Sequence, residues 1–250
     1  MIKFFRRIRQ QLLTENKFSK YLLYAIGEIV LVVIGILIAL QINNWNQERI
    51  EHKETEVLLR NLKFEVEENI KDLKDQQSIL NVRKSWADYI LNSLDDQKAI
   101  DSTMFITAIT RVGWIMDYSQ MLPTYTEIVS SGKLSYINSE NLKKALADYQ
   151  SQVELNQQIT SSYNPALKET ERLAIGHLNG MPVASNLIKP VSSYMGISFD
   201  LKSIATDTEF YKNIKHISFQ SAMTIDYISD QLITSTERLK SLIDDEIKSY

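Results

Sequence analysis

The chain has 250 residues, a net charge of -3 and no cysteine. The lack of cysteine excludes disulfides, thiolate metal sites and cysteine nucleophiles, and the slightly acidic balance argues against a nucleic-acid partner. Only 7 Gly and 4 Pro interrupt the sequence, which is too few for the frequent turns of an all-β or α/β fold. The composition therefore predicts an all-α protein.

The first twenty residues are basic and carry apolar residues at helical spacing. We expect residues 1–20 to form a cytoplasmic amphipathic segment that contacts anionic headgroups through Lys3, Arg6, Arg7 and Arg9. The alternative is that these charges act only as a topology signal.

Residues 21–42 read YLLYAIGEIVLVVIGILIALQI and consist mostly of Leu, Ile and Val. As a helix they would extend about 33 Å, enough to cross a hydrocarbon core of about 30 Å. The run is too long for the apolar region of a cleaved signal peptide, and small residues are missing at the cleavage spacing. It is therefore predicted to be an uncleaved signal-anchor that interacts with the lipid bilayer.

The charges on either side of this segment predict its orientation. Lys and Arg dominate before the span, whereas Glu outnumbers them after it. By the positive-inside rule, the N-terminus lies in the cytoplasm and residues 43–250 lie outside it.

A carboxylate, Glu28, lies inside the apolar segment. On a helical wheel it shares a stripe with Tyr24, Gly35 and Ala39, and the Gly35/Ala39 spacing allows two helix backbones to approach closely. Three interpretations stay open for Glu28: a neutral carboxyl bonded within its own helix, a contact in a homo-oligomer or with another membrane protein, or part of a proton or ion pathway.

The remaining sequence keeps a helical pattern. Apolar residues recur at three- and four-residue steps from Leu59 to Leu94, which predicts a long amphipathic helix with coiled-coil character that continues from the membrane. The fold class is thus all-α: one N-terminal transmembrane helix, residues 21–42, followed by an extracytoplasmic up-and-down helical bundle, residues 43–250, with long and partly coiled-coil helices.

Further helices are predicted over residues 102–118, with Ser102 as the N-cap, and 124–132, with Gly132 as the C-cap. A long helix is expected to begin at Asn138 or Ser139 and to be kinked or interrupted at Pro165. Residues 179–205 are predicted to be irregular, and the last long helix is predicted over residues 207–250.

No catalytic, cofactor-binding or metal-binding residue is predicted. His52, His177 and His216 all lack the Glu three residues earlier that a di-iron bundle site requires. The glycine patterns of phosphate and dinucleotide sites are missing as well, as is the Gly-x-Ser-x-Gly elbow of hydrolases.

Two blocks, MIKFFRRIRQQLLTENKFSKYLLYAIGEIVLVVIGILIALQINNWN and YTEIVSSGKLSYINSENLKKALADY, resemble an uncharacterised family of single-pass membrane proteins common in Bacteroidota. The resemblance implies an inner-membrane location with a periplasmic helical domain. It brings no catalytic residues.

The leading hypothesis is a non-enzymatic, membrane-anchored interaction or scaffold protein. It would assemble through its transmembrane helix and its periplasmic bundle, by self-association or with another membrane protein. The alternative is a sensory protein whose bundle binds a small ligand near residues 179–205 and signals through a partner. A third possibility is an enzyme with a carboxylate site that no motif reveals.

Overall fold

The computed structural model describes residues 18–96, 100–115, 120–180 and 197–250. They are mostly helical, and the first helix is long and apolar at its N-terminal end. The elements in chain order are α1 (Phe18–Asp96), α2 (Ser102–Arg111), α3 (Pro123–Ser130), a 3-10 helix (Lys133–Tyr136), α4 (Glu140–Gly176), β1 (Leu178–Asn179), β2 (Ser198–Phe199), α5 (Leu201–Thr206), α6 (Thr208–Tyr227), a π-helix (Ile228–Ile233) and α7 (Thr234–Ile247).

The chain divides into two compact units between Thr55 and Glu56. In the first unit the described residues belong to α1, and their side chains are mostly exposed. The second unit, residues 56–250, is called the helical body below. Its long helix α4 contacts α2, α6 and α7.

The buried side of α1 in the helical body follows a seven-residue repeat. Two positions of each repeat face inward. The first is apolar in every repeat, and the second is apolar at both ends of this part of α1 and polar in the middle. The first position holds Leu59, Val66, Leu73, Leu80, Ala87 and Leu94; the second holds Leu62, Asn69, Gln76, Arg83 and Ile90. Ile70 and Leu91, which the apolar pattern also suggests as inward-facing, are only half-buried.

Apolar residues of the helical body form two large clusters and one small cluster. The Phe105 cluster contains Ala87, Ile90 and Leu94 of α1 together with residues of α2, α4, α5 and α6. The Tyr149 cluster joins Leu58 to Val66 of α1 to α3, α4 and α7. The small Ile228 cluster consists of Leu73, Leu80, Ile228 and Leu232.

Helix ends differ in part from the sequence-based prediction. The N-cap of α2 is Asp101 rather than Ser102, because the Asp101 carboxylate accepts a hydrogen bond from the Met104 amide at 2.9 Å. The helix also ends at Arg111, well short of residue 118. The Ser139 prediction is confirmed: its hydroxyl caps α4 by accepting from the Leu142 amide.

Two other predictions about helix continuity are corrected. The helix α4 continues through Pro165 to Gly176, so an interruption there is wrong. The helix α3 ends at Ser130, with Ser131 as its C-cap, and Gly132 follows with a φ of +74°. Glycine suits that left-handed backbone because it has no Cβ to clash.

The final helical stretch contains a π-helix because its buried pattern gains one residue. Buried positions step by four and three from Phe210 to Ile228, and then by four to Leu232 and by four again to Thr236. A π-helix holds one more residue in the turn. The extra residue is absorbed at 228–233, and both α6 and α7 keep their apolar sides on the core.

The segment predicted as irregular contains short regular elements at its ends. Strands β1 and β2 pair antiparallel, with Leu178 opposite Phe199 and Asn179 opposite Ser198, and α5 follows. Residues 181–196 lie outside the described part of the chain.

Candidate functional site

Most described side chains in the apolar part of α1 are exposed. The large side chains there are Leu22, Leu23, Ile26, Ile29, Val30, Leu31, Val32, Val33, Ile34, Ile36, Leu37, Ile38, Leu40 and Ile42, each about half exposed or more. This is one N-terminal helix long and apolar enough to span a membrane, and none of its most apolar window is buried by the described chain. Continuous apolar surface of this size requires a cover of lipid or protein.

The predicted stripe lies on the same stretch of α1. Glu28 is half-buried, while Gly35 and Ala39 are exposed, and a Cβ built on Gly35 would meet no atom within 4 Å. The small-residue part of the stripe, Gly35 and Ala39, is therefore open to a second helix. The side chain of Tyr24 lies outside the description, as do Lys3, Arg6, Arg7 and Arg9.

A groove of about 750 Å³ lies along the outer surface of α1 in the helical body. Its volume is within the usual range for small-molecule sites. The half-buried rings of Trp86 and Tyr89 pack against the Phe105 cluster. The groove is lined by Lys74, Gln77, Ser78, Asn81, Val82, Ser85, Trp86, Tyr89 and Met104.

Hydrogen bonds decide which polar atoms of the groove are available. Asn81 donates to the Gln77 carbonyl at 2.9 Å, and the Ser85 hydroxyl donates to the Asn81 carbonyl at 2.9 Å. The remaining lone pairs of both side chains are acceptors. Lys74 lies 3.5 Å from Glu237 and is the one cation among the groove residues. The groove thus combines two aromatic rings, neutral polar groups and the lysine that pairs with Glu237.

Sequence reasoning missed this groove. Residues 78–89 include the charged Arg83, Lys84 and Asp88, but the groove-lining positions of this range, 78, 81, 82, 85, 86 and 89, hold no charge, whereas the preceding turns carry many Glu and Lys. An outer helix side with little charge and two aromatic residues is typical of binding surfaces, and this pattern is visible in the sequence.

A second polar cluster lies inside the helical body. The Asn156 side-chain amide donates to Gln76 Oε1 at 3.3 Å and to Gln120 Oε1 at 3.2 Å, and all three residues are 1% exposed. Nearby, burial raises the pKa of Tyr149 to about 12, so that hydroxyl stays protonated at physiological pH.

The polar side chains of α1 hold the connection between α2 and α3. Arg83 donates to the Trp114 carbonyl, and Asn69 donates to the Met121 carbonyl at 3.0 Å. The Glu65 carboxylate accepts from the Thr124 hydroxyl at 2.6 Å and from its amide. The contacted residues 114, 121 and 124 follow one another in the opposite direction to their partners on α1, whose polar side chains satisfy backbone groups that no helix or strand pairs.

His177 and Asp207 form a partly buried pair, with Nε2 and Oδ2 2.9 Å apart. The Asp207 carboxylate is the N-cap of α6, and its hydrogen bond from the Phe210 amide, together with His177, lowers the pKa of Asp207. This geometry is that of a helix cap.

Within residues 18–96, 100–115, 120–180 and 197–250, no group of three His, Asp or Glu could hold a metal ion.

Together these features define a mostly helical protein whose N-terminal helix is long and apolar enough to span a membrane. The chain belongs to the family of unknown function DUF6090, whose profile matches residues 28–169. The match runs from Glu28 to Glu169 and so includes the groove and the inner polar cluster. No curated protein and no solved structure matches the chain.

Proposed function

We propose that this protein is a non-enzymatic, membrane-anchored interaction or scaffold protein. The observation that carries the proposal is the apolar part of α1, which is long enough to cross a bilayer and is not covered by the rest of the described chain. Such a surface is stable in lipid and unstable in water. Lipid is therefore its first partner, and nucleic acid is not among its partners.

The proposed topology is a single pass through the inner membrane, with the N-terminus in the cytoplasm and the helical body in the periplasm as an up-and-down bundle. The charges that flank the span support this orientation. The seven-residue spacing of buried positions on α1 supports partial coiled-coil character.

The chain has no native cysteine, which makes labelling a direct test of topology. A maleimide reagent that does not cross membranes is expected to label the exposed position Ser151→Cys in intact spheroplasts. It is expected to label Lys3→Cys only after permeabilisation. The reverse pattern would refute the orientation, and release of the protein by alkaline carbonate would refute the anchor.

Assembly is proposed to use the stripe of Tyr24, Glu28, Gly35 and Ala39. The small residues Gly35 and Ala39 would let a second helix approach closely, and Glu28 on the same stripe would add a polar group to that helix–helix interface. The partner is a second copy of this chain or another membrane protein.

Disulfide cross-linking in native membranes tests the stripe. Ala39→Cys is expected to form a cross-linked species, whereas the control Leu37→Cys, on the opposite side of the helix, is not. Adding Glu28→Leu is expected to reduce cross-linking from Ala39→Cys, and Glu28→Gln is expected to preserve it. Equal cross-linking from positions 37 and 39 would refute assembly through this side, and no cross-linking from either position would refute self-association.

The groove of the helical body favours a second candidate, a sensory protein that binds a small ligand and signals through a partner. The volume of the groove, its two aromatic rings and its neutral polar groups suit an uncharged or weakly charged small molecule. The groove is lined by α1 and Met104, and none of the described residues of the predicted ligand region at 179–205 is among its lining residues.

A thermal-shift screen of the full chain in detergent with a library of small neutral metabolites tests this candidate. A binder is expected to raise the melting temperature. Ser85→Trp, which would fill the groove, is expected to abolish that shift, while the exposed control Gln158→Trp leaves it unchanged. A shift that survives Ser85→Trp would place binding elsewhere.

A further inference from the structure

A polar layer separates the two large apolar clusters of the helical body. We use this name for Gln76, Gln120, Asn156 and Thr160, whose polar side-chain atoms lie inside the body. The Phe105 cluster lies toward one end of α1 and the Tyr149 cluster toward the other. Between them, the Ile228 cluster contains four buried apolar residues. Apolar packing is therefore weakest at the level of the polar layer.

Hydrogen bonding in the layer is incomplete. Asn156 Oδ1, Gln120 Nε2 and Thr160 Oγ1 are buried and have no hydrogen-bond partner among the described residues. A buried polar group left unpaired destabilises the folded state, because it has lost its hydrogen bonds to water without gaining others. Water is the usual partner for such atoms, since a buried water makes about three hydrogen bonds to groups of this kind.

Space for water exists next to the layer. A cavity of about 10 Å³ is bordered by Leu80, Arg83, Ser221 and Thr224, among other residues. This is close to the smallest volume that holds one water molecule, and the side chains of Arg83, Ser221 and Thr224 are polar. The cavity lies between the Ile228 cluster, which contains Leu80, and the Phe105 cluster, which contains its other wall residues Leu167 and Ile217.

The backbone is irregular at the same level. The π-helix at Ile228–Ile233 supplies Ile228 and Leu232 to the small cluster, and its Ser229 accepts a hydrogen bond from Gln77 of α1. π-Helical turns are rare and often accompany functional positions. Weak apolar packing, unpaired polar atoms, a cavity and a π-helix thus coincide.

We propose that the polar layer is a site of local opening, where water enters the helical body while the Phe105 and Tyr149 clusters stay packed. Opening at this level exposes few apolar side chains and gives partners to the unpaired amide and hydroxyl atoms. Regions with few buried apolar contacts open at lower free energy than the rest of a protein. The layer is therefore the part of the helical body that opens at the lowest free energy.

Hydrogen exchange measured by mass spectrometry on the full chain in lipid nanodiscs tests the proposal. After correction for intrinsic rates, peptides covering residues 74–80 and 152–160 are expected to exchange at least tenfold faster than those covering 58–66, 142–149, 87–94 and 105–111. Equal rates, or a single rate for the whole body, would overturn the proposal.

Substitutions test whether the unpaired polar atoms cause the local opening. Gln76→Leu combined with Asn156→Leu replaces the amides by apolar groups and is expected to slow exchange in 152–160 at least tenfold, whereas the exposed control Gln158→Leu is not. If the double variant does not fold, Thr160→Val, which removes one unpaired hydroxyl at nearly constant shape, is expected to slow exchange in the peptide that contains it. Unchanged exchange in the folded variant would overturn the role of the polar atoms.

Discussion

Gly113 lies directly against the Leu167 carbonyl of α4: a Cβ on Gly113 would stand 2.7 Å from that oxygen and 2.9 Å from the Glu171 nitrogen. Real Cβ atoms do not approach backbone atoms so closely, so any other residue would force the chain after α2 away from α4. Glycine is required here by the close approach of two backbones.

Gly113→Ala is therefore expected to destabilise the helical body by about 1–3 kcal/mol, the usual cost of overpacking. Urea unfolding followed by circular dichroism measures the change. Gly176→Ala is the matched control, because a Cβ there meets nothing within 4 Å. An equal effect of both substitutions would contradict the close contact.

Deletion of Asp230 is expected to convert the π-helix into α-helix without loss of stability, within about 0.5 kcal/mol of the parent. The deletion removes the extra residue, so the buried steps after Ile228 return to three and four. The measurement is the free energy of unfolding.

Deletion of Arg238 is the control for the π-helix prediction. It leaves the π-helix in place and moves Leu239 and Ile243 off the buried side, at an expected cost of roughly 3 kcal/mol or more. If the two deletions destabilise equally, the account of the π-helix as an absorbed insertion is wrong.

Glu246 caps α4 from a distance. Its carboxylate is buried and accepts hydrogen bonds from the Asn138 amide at 2.7 Å and the Ser139 amide at 3.3 Å. Glu246→Ala leaves those donors unpaired and is expected to cost about 1–3 kcal/mol. The neighbouring Asp245 forms an exposed pair with Lys248, so Asp245→Ala is expected to change stability by less than about 1 kcal/mol. Thermal unfolding measures the stability of both variants. Equal destabilisation by Glu246→Ala and Asp245→Ala would contradict the capping role of Glu246.

The Asp207 cap predicts a dependence of stability on pH. The Phe210 amide and, less strongly, His177 lower the pKa of Asp207 in the folded protein. Its contribution is therefore complete above the pKa of an unfolded Asp, about 3.9, and is lost as the pH falls through the lower folded value.

Asp207→Asn keeps a good N-cap and removes this titration. The stability difference between parent and variant is expected to be largest at pH 5 and to shrink toward pH 2. Urea midpoints across this range provide the measurement, and a difference that is constant or grows on acidification would contradict the assignment.

Periodicity predicted the long amphipathic part of α1 but not the polar residues on its buried side. Asn69, Gln76 and Arg83 occupy repeat positions next to Val66, Leu73 and Leu80, yet a polar residue in a periodic pattern is normally taken as exposed. Asn69 and Gln76 are buried and Arg83 is half-buried because they bond to carbonyl and amide groups of residues 121, 156 and 114, which no local pattern reveals.

The sequence by itself determined the helical content and the apolar span, because propensity and hydropathy are properties of neighbouring residues. Only the tertiary structure decided that Gln76 and Asn156 meet, that Glu246 caps a helix more than a hundred residues away, and that Gly113 touches Leu167. The physical reason is that these features depend on contacts between residues far apart in the chain, and their cost or benefit arises only when packing removes water from both partners.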